Sequence, residues 1–272
     1  MSNHRNHSYN NADLNTAQTA DYTLLMKIGT NSFSYAVTSQ NKLLVLKEDV
    51  DFAELKEPSD GNSLLRSNYG EYVIGLPQNG FTLIPASLFK PDKVADLARF
   101  LDVKANEKVF SQPLDAENQV IYKVDEWVVN LISEKFDLKN AVFSAKGWIK
   151  AVAASSPVNH QLFVNIDNDQ VELLNFSDDK LRFYNSFEFM TPDELVYFAL
   201  FITEELKLRP LNTTLILSGD ISTYDENFNR LAKFFGKAEM SSLMPIDGTQ
   251  EVDGHSVLTL TALSLCGSSE AL

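Results

Sequence analysis

The chain has 272 residues, 44% of them hydrophobic, with 18 Phe, enough for one large domain or two ordinary ones and incompatible with global disorder. Its 23 basic and 37 acidic residues leave a formal charge of −14. That argues against a nucleic-acid partner, which needs a concentrated basic face, and against an anionic membrane surface.

Residues 1–20 are rich in Asn, Ser and Thr without apolar periodicity, and read as a flexible tail. They contain no apolar core of a secretory signal, and His4 and His7 lack a third metal ligand. No apolar run approaches a membrane span, and the single cysteine, Cys266, cannot form an internal disulfide. A soluble cytoplasmic protein is expected. From residue 21, short apolar strands at 22–28, 33–38 and 42–47 are joined by the turns Gly29-Thr30-Asn31 and Ser39-Gln40-Asn41. Residues 51–69 are weakly patterned and interrupted by Pro58 and Gly61, and are compatible with a helix. Strands follow at 72–76 and 81–85. Val94, Leu97, Ala98 and Leu101 then predict one helical face over 91–101. A hairpin at 108–122 leads to a helix over 125–136, with Trp127, Leu131 and Ile132 in its apolar stripe, and "NAVFSA" reads as a buried strand before a helix.

Residues 155–160 read as a linker, after which the pattern restarts. Three strands at 160–166, 170–176 and 181–189 precede the clearest helix. Thr191 is its N-cap, Pro192 its first residue and Glu194 the partner in a capping box, with Leu195, Phe198, Ile202 and Leu206 on its inner face. "TTLILS" reads as a strand covered on both faces. Helices over 225–235 and 256–266 end at Gly236 and Gly267. The βββαβα order thus occurs twice, in units 21–155 and 160–267, and the fold class is α/β.

Two such ribonuclease H-like units in tandem resemble the actin-like ATPase superfamily. The stretches "LLMKIGTNSFSYAV", "GFTLIPASLF", "LFVNIDNDQVELLNF" and "TTLILSGDIS" carry the likeness. Within that superfamily the chain resembles the bacterial family called domain of unknown function 3822. The resemblance implies nucleotide held between the units by three loops, and each loop departs from the active pattern. Lys27-Ile28-Gly29, followed by Thr30 and Asn31, keeps the glycine and lacks the preceding acid. Asn165 stands where the second loop carries an acid, and Asp167 where it carries glycine. In the third loop Gly219 is kept and Asp220 replaces the next glycine.

These departures touch the chemistry itself. Phosphoryl transfer depends on positioning Mg²⁺ and the nucleophile electrostatically. Lys27 cannot hold a metal-bound water as a carboxylate does. Asp167 and Asp220 bring negative charge toward a polyanion, at about 1–4 kcal/mol per close contact. The plainer reading is also complete. Lys27 is then a strand-end lysine, Gly29-Thr30-Asn31 a turn, and Asp167-Asn168-Asp169 hairpin chemistry. Calcium is excluded there by Val171 at a ligand position and the lack of a central glycine. Ser32, Ser34 and Ser218 lack a nucleophile elbow, His160 and His255 lack identifiable partners, and Cys266 reads as a core residue.

The sequence therefore points to a degenerate actin-like pseudoenzyme that works as a protein-interaction or assembly protein. A nucleotide-binding regulator or very slow ATPase is the alternative. No metal and no cofactor are expected, ATP or another anion at Lys27 being the alternative, and the expected partner is a protein. In the strand at 181–189, Leu181, Phe183, Phe187 and Phe189 are expected to face the core. Arg182, Tyr184, Ser186 and Glu188 are then expected to face outward on a sheet edge. Arg182, Tyr184 and Ser186 are candidate partner-binding residues, against the plainer reading that edge charges prevent aggregation.

Overall fold

The computed structural model describes residues 8–77, 79–247 and 251–267. The chain packs as two compact units, one of residues 8–147 with 260–267 and one of residues 148–259. The first is built on β1 (Ser8–Asn10), β2 (Thr23–Ile28), β3 (Phe33–Ser39) and β4 (Lys42–Val50), a short helix α1 (Ala53–Lys56), and β5 (Glu71–Leu76). Next come β6 (Phe81–Pro85), α2 (Val94–Leu97), β7 (Glu107–Pro113), β8 (Asn118–Asp125), α3 (Glu126–Ser133), β9 (Ala141–Phe143) and α4 (Lys146–Ala154). Its main sheet has the order β1-β4-β3-β2-β5-β9, with β2, β5 and β9 parallel and the rest antiparallel. The central strand β2 is apolar almost throughout because both its faces are covered, and Leu24, Leu25, Met26 and Ile28 are all buried. Gly147 lies so close to the chain's last turn that a Cβ there would stand 2.4 Å from the Ala262 carbonyl oxygen.

β6, β8 and β7 form a separate three-stranded antiparallel sheet inserted between β5 and β9. One buried ion pair holds it. Lys123 on β8 lies 3.0 Å from Glu107 on β7, with side chains only 8% and 4% exposed. Lys123 Nζ also donates to the Asp102 carbonyl oxygen at 3.1 Å, and the Lys104 N–H donates to Glu107 Oε2 at 2.7 Å. Burial by itself would raise the Glu107 carboxyl, but the Lys104 N–H and the Lys123 ammonium hold it below its ordinary value.

The second unit holds β10 (Gln161–Asp167), β11 (Gln170–Ser177), β12 (Lys180–Glu188), α5 (Pro192–Glu205), β13 (Thr214–Gly219), α6 (Glu226–Leu231) and β14 (Lys237–Met240). Its sheet order is β12-β11-β10-β13-β14, with β10, β13 and β14 parallel. This is the order β4-β3-β2-β5-β9 of the first sheet, so the repeat read from the sequence is a repeat of topology. Thr191 caps α5 as expected. Its side chain accepts the Glu194 N–H at 3.2 Å, and Glu194 Oε2 accepts the Thr191 N–H at 3.2 Å. Leu195, Val196, Ala199 and Ile202 pack from α5 onto Leu162, Val164, Val171 and Leu173 of the sheet. A last helix, α7 (Leu258–Thr261), is followed by a 3-10 turn to Cys266.

Several expectations are corrected. Of the tail, residues 8–20 are structured. β1 pairs with β4, Tyr9 is buried, and a 3-10 turn runs over Thr16–Asp21. A three-residue edge strand needs one apolar side chain and so leaves no periodicity. His4 and His7 lie outside the described residues. The predicted helix at 91–101 is broken into two 3-10 turns around α2, with Ala98 its one buried residue. Trp127 is 48% exposed, edge-on to Phe52 at 5.2 Å, and the buried stripe of α3 is Val128, Val129, Leu131 and Ile132. The terminal helix starts at Leu258 and tightens after Thr261, leaving Cys266 half-buried. α7 covers only part of the first half of its predicted span, and β14 was not anticipated.

Replacing one partner of the buried pair strands the other charge. Lys123→Met is expected to lose about 3–5 kcal/mol in urea unfolding at neutral pH, and Lys123→Met/Glu107→Leu to recover most of it. The depressed Glu107 carboxyl makes the pair's contribution complete above the ordinary carboxylate range. It is lost as pH falls through the depressed value, so the gap between wild type and the Lys123→Met variant should narrow in acid.

Candidate functional site

Lys27, Gly29, Thr30 and Asn31 fall together on the β2–β3 hairpin of the first unit. Lys27 is half-buried in β2, opposite Ser34 and beside Gly75. The Gly29 N–H donates to the Ser32 carbonyl oxygen at 2.9 Å and closes the turn, leaving Thr30 and Asn31 exposed. Ser32 Oγ donates to Asp49 Oδ1 at 3.2 Å, so this hydroxyl is engaged by an acid on β4.

In the second unit Asn165, Asp167, Gly219 and Asp220 converge where the parallel strands β10 and β13 end, the edge at which open α/β sheets bind ligands. Gly219 has φ +83, and a Cβ there would lie 1.9 Å from the Ile166 carbonyl oxygen. No other residue fits this crossing. The Asp220 N–H donates to Ile166 O at 2.8 Å, and its carboxylate accepts the Asn168 N–H at 3.2 Å. Asp167 Oδ1 accepts Asn168 Nδ2 at 3.1 Å. The hairpin turn is therefore closed by the protein's own carboxylates. His255, which had no evident partner in the sequence, latches the same loop. Its carbonyl accepts the Gly219 N–H at 2.8 Å, and its Nε2 lies 3.1 Å from the Ile221 carbonyl oxygen.

Asn165 is buried within a polar ladder across four strands. Ser218 Oγ donates to Asn165 Oδ1 at 3.1 Å, Asn165 Nδ2 donates to Glu172 Oε2 at 2.8 Å, and Tyr184 Oη donates to Glu172 Oε1 at 2.6 Å. This corrects the expectation for β12. Tyr184 is buried, with Trp148 of α4 edge-on at 6.5 Å, and is no exposed anchor. Phe183, Phe187 and Phe189 pack on the core cluster as expected, but the opposite face is covered as well, by Trp148 against Tyr184, and β12 carries a bulge at Arg182. Arg182 is exposed yet donates to the Leu206 carbonyl oxygen at 2.6 Å. Ser186 is half-buried, its Oγ donating to Gln170 Oε1 at 3.2 Å. The Asn165–Glu172 pair was latent in the sequence, since a two-residue turn after Asp167 sets them opposite each other.

Among the described residues no cluster of His, Cys, Asp and Glu could hold a metal ion, and no helix is long and apolar enough to cross a membrane. The chain is similar to a solved Bacteroides thetaiotaomicron protein with actin-like ATPase fold and unknown function. The two are 20% identical with a TM-score of 0.75, over 92% of this chain and 98% of that one. It is also similar to a chain of a PilM–PilN type IV pilus biogenesis complex, at 12% identity and a TM-score of 0.54, over 89% of this chain and 97% of that one. Two tandem units with this sheet order and these neighbours are an actin-like ATPase fold. The family model described as "Protein of unknown function (DUF3822)" matches residues 11–237, and the chain belongs to that family. No curated protein matches the sequence.

The ladder makes a charge-specific prediction. Asn165→Asp removes the donor to Glu172 and sets two carboxylates side by side in a buried site. The pair then favours a shared proton, so the new acid is protonated more readily folded than unfolded. Stability of the variant relative to wild type should fall as pH rises from about 4 to 7, as read by thermal unfolding. A deficit that is constant with pH would refute the ladder as an electrostatic unit.

Proposed function

We propose that the protein is a non-catalytic interaction or assembly protein that keeps the actin-like fold without ATP chemistry. One observation carries this reading: the hairpin amide of Asn168, of the kind a phosphate oxygen would need, is already held by the Asp220 carboxylate. A phosphate arriving there meets Asp220 and Asp167 at about 1–4 kcal/mol of repulsion each. Asn165, at an active-site acid's position by resemblance, is committed to Glu172 and Ser218. Lys27 takes the place of the other acid. The interaction half of the reading draws on fold-level analogy with the chain solved in a PilM–PilN complex. A soluble cytoplasmic setting belongs to the same reading, on the strength of the net charge of −14 and the single cysteine.

A nucleotide-binding regulator or very slow ATPase is the second reading, favoured by Lys27 beside the retained Gly29 and by the retained Gly219. Calorimetric titration separates the two. With ATP and Mg²⁺, no measurable heat and no phosphate release are expected. Tight Mg²⁺-dependent binding, with turnover abolished by Thr30→Ala, would replace the first reading by the second. Affinity capture from native lysate should recover the same partner whether the lysate is treated with apyrase or supplied with ATP.

A further inference from the structure

The helix α5 spends only one of its faces on the core. Leu195, Val196, Ala199 and Ile202 point into the sheet. At helical spacing Tyr197, Leu200, Phe201 and Glu204 line the opposite face. Tyr197 and Phe201 are 59% and 41% exposed, and their rings stack at 6.0 Å. Tyr197 also meets the half-buried Phe198 at 5.4 Å, so the exposed rings are anchored to the unit's packing. Where α5 ends, Lys207 takes a positive φ of 55°. The Lys207 N–H donates to the Glu204 carbonyl oxygen at 2.8 Å and the Leu208 N–H to that of Thr203 at 2.9 Å. The chain thereby turns back, and Leu200, Glu204, Lys207, Leu208 and Pro210 line an open groove of about 410 Å³ that starts one residue from Phe201.

The charges on this helix break a local rule. α5 carries Asp193, Glu194, Glu204 and Glu205 and no basic residue. The first two sit in the first turn, where the helix dipole favours acids, and both are committed. Asp193 is paired with Arg230 at 2.5 Å, and Glu194 completes the capping box. Glu204 and Glu205 are the last two residues, at the negative end of the dipole, where acids are unfavourable. Both are exposed, and among the described residues neither forms an ion pair. A local preference broken on an exposed apolar face, with no ion pair to offset it, marks a surface kept for binding.

The same charges select the occupant. A second copy of α5 packed antiparallel with Tyr197 opposite Phe201 would set Asp193 and Glu194 opposite Glu205 and Glu204, acid against acid. An anionic membrane surface is repelled in the same way. We propose that the outer face of α5 binds an amphipathic helix of another protein, whose apolar stripe covers Tyr197 and Phe201 and enters the groove beside Leu200, and whose Lys or Arg residues meet Glu204 and Glu205. The stacked rings beside two carboxylates suit a basic side chain twice over, by charge and through the ring faces. This inference rests on the interaction reading above and gives the partner its chemistry.

Fluorescence anisotropy on the full chain tests it with a labelled peptide of about 18 residues built from Leu and Lys at helical spacing, and with its counterpart built from Leu and Glu. The Lys peptide is expected to bind at least about tenfold more tightly than the Glu peptide. Tyr197→Ala and Phe201→Ala, shown folded by circular dichroism, should each weaken it about tenfold. Glu204→Lys/Glu205→Lys should weaken it as much while raising the melting temperature, since bases replace acids at the negative end of α5. Asp92→Lys/Asp96→Lys makes the same change of net charge on exposed residues of the first unit and should leave binding within about twofold. Failure of the Lys peptide to bind overturns the proposal, as does binding indifferent to the α5 variants or weakened equally by both charge reversals. Self-association in sedimentation equilibrium that is lost with Tyr197→Ala would assign the face to a second copy and equally overturn it. ATP turnover would remove the non-catalytic reading without moving these affinities, so the two failures are distinguishable.

Discussion

The second unit depends on the hydrogen-bonded ladder that joins Tyr184, Glu172, Asn165 and Ser218. Four polar side chains inside a sheet covered on both faces would each cost free energy if left unpaired. Here each satisfies the next, and together they set β12, β11, β10 and β13 in one register. The rest follows from that register. Ser218 in line with Asn165 places Gly219 beside Ile166, where only glycine fits. Gly219 then directs Asp220 back onto the hairpin turn.

Loops whose polar groups bond to one another are rigid, because each donor and acceptor already has a partner. Phosphate loops keep backbone amides open and bring acids to a metal ion. In this chain an amide of the second-unit turn is filled by a carboxylate, the Asn165 side chain is bonded at both ends, and His255 ties the loop down by main chain and ring. The geometry is that of a rigid corner.

The two sheets also show how one topology deals with its exposed edge in two ways. The first covers β4 with the chain's own residues 8–10. Among the described residues the second sheet pairs β12 with β11, and β12 carries a charged residue at its bulge and an asparagine that takes the Ser186 N–H. The inserted three-stranded sheet uses a different device, a buried Lys123–Glu107 pair whose strength depends on both partners being present.

Much of this was legible in the residues. The repeated βββαβα order, the capping box at Thr191 and the glycine turns are local or periodic signals, and a chain carries those in its own spacing. The candidate residues lie on strand ends and turns, which local chemistry marks in the sequence. What each does there was not legible. Whether Tyr184 meets water or Trp148 depends on α4 covering the sheet's second face. His255 reaches its loop from 34 residues away, and Asp220 reaches Asn168 from 52. The sequence by itself determined most of the strands, the capped helix at 192–205 and the repeated order of elements, because hydrophobic period and turn preference act over a few residues. Tertiary structure alone decided that the polar residues of the loops bond to one another, because hydrogen bonds between distant strands exist only once register and burial are set.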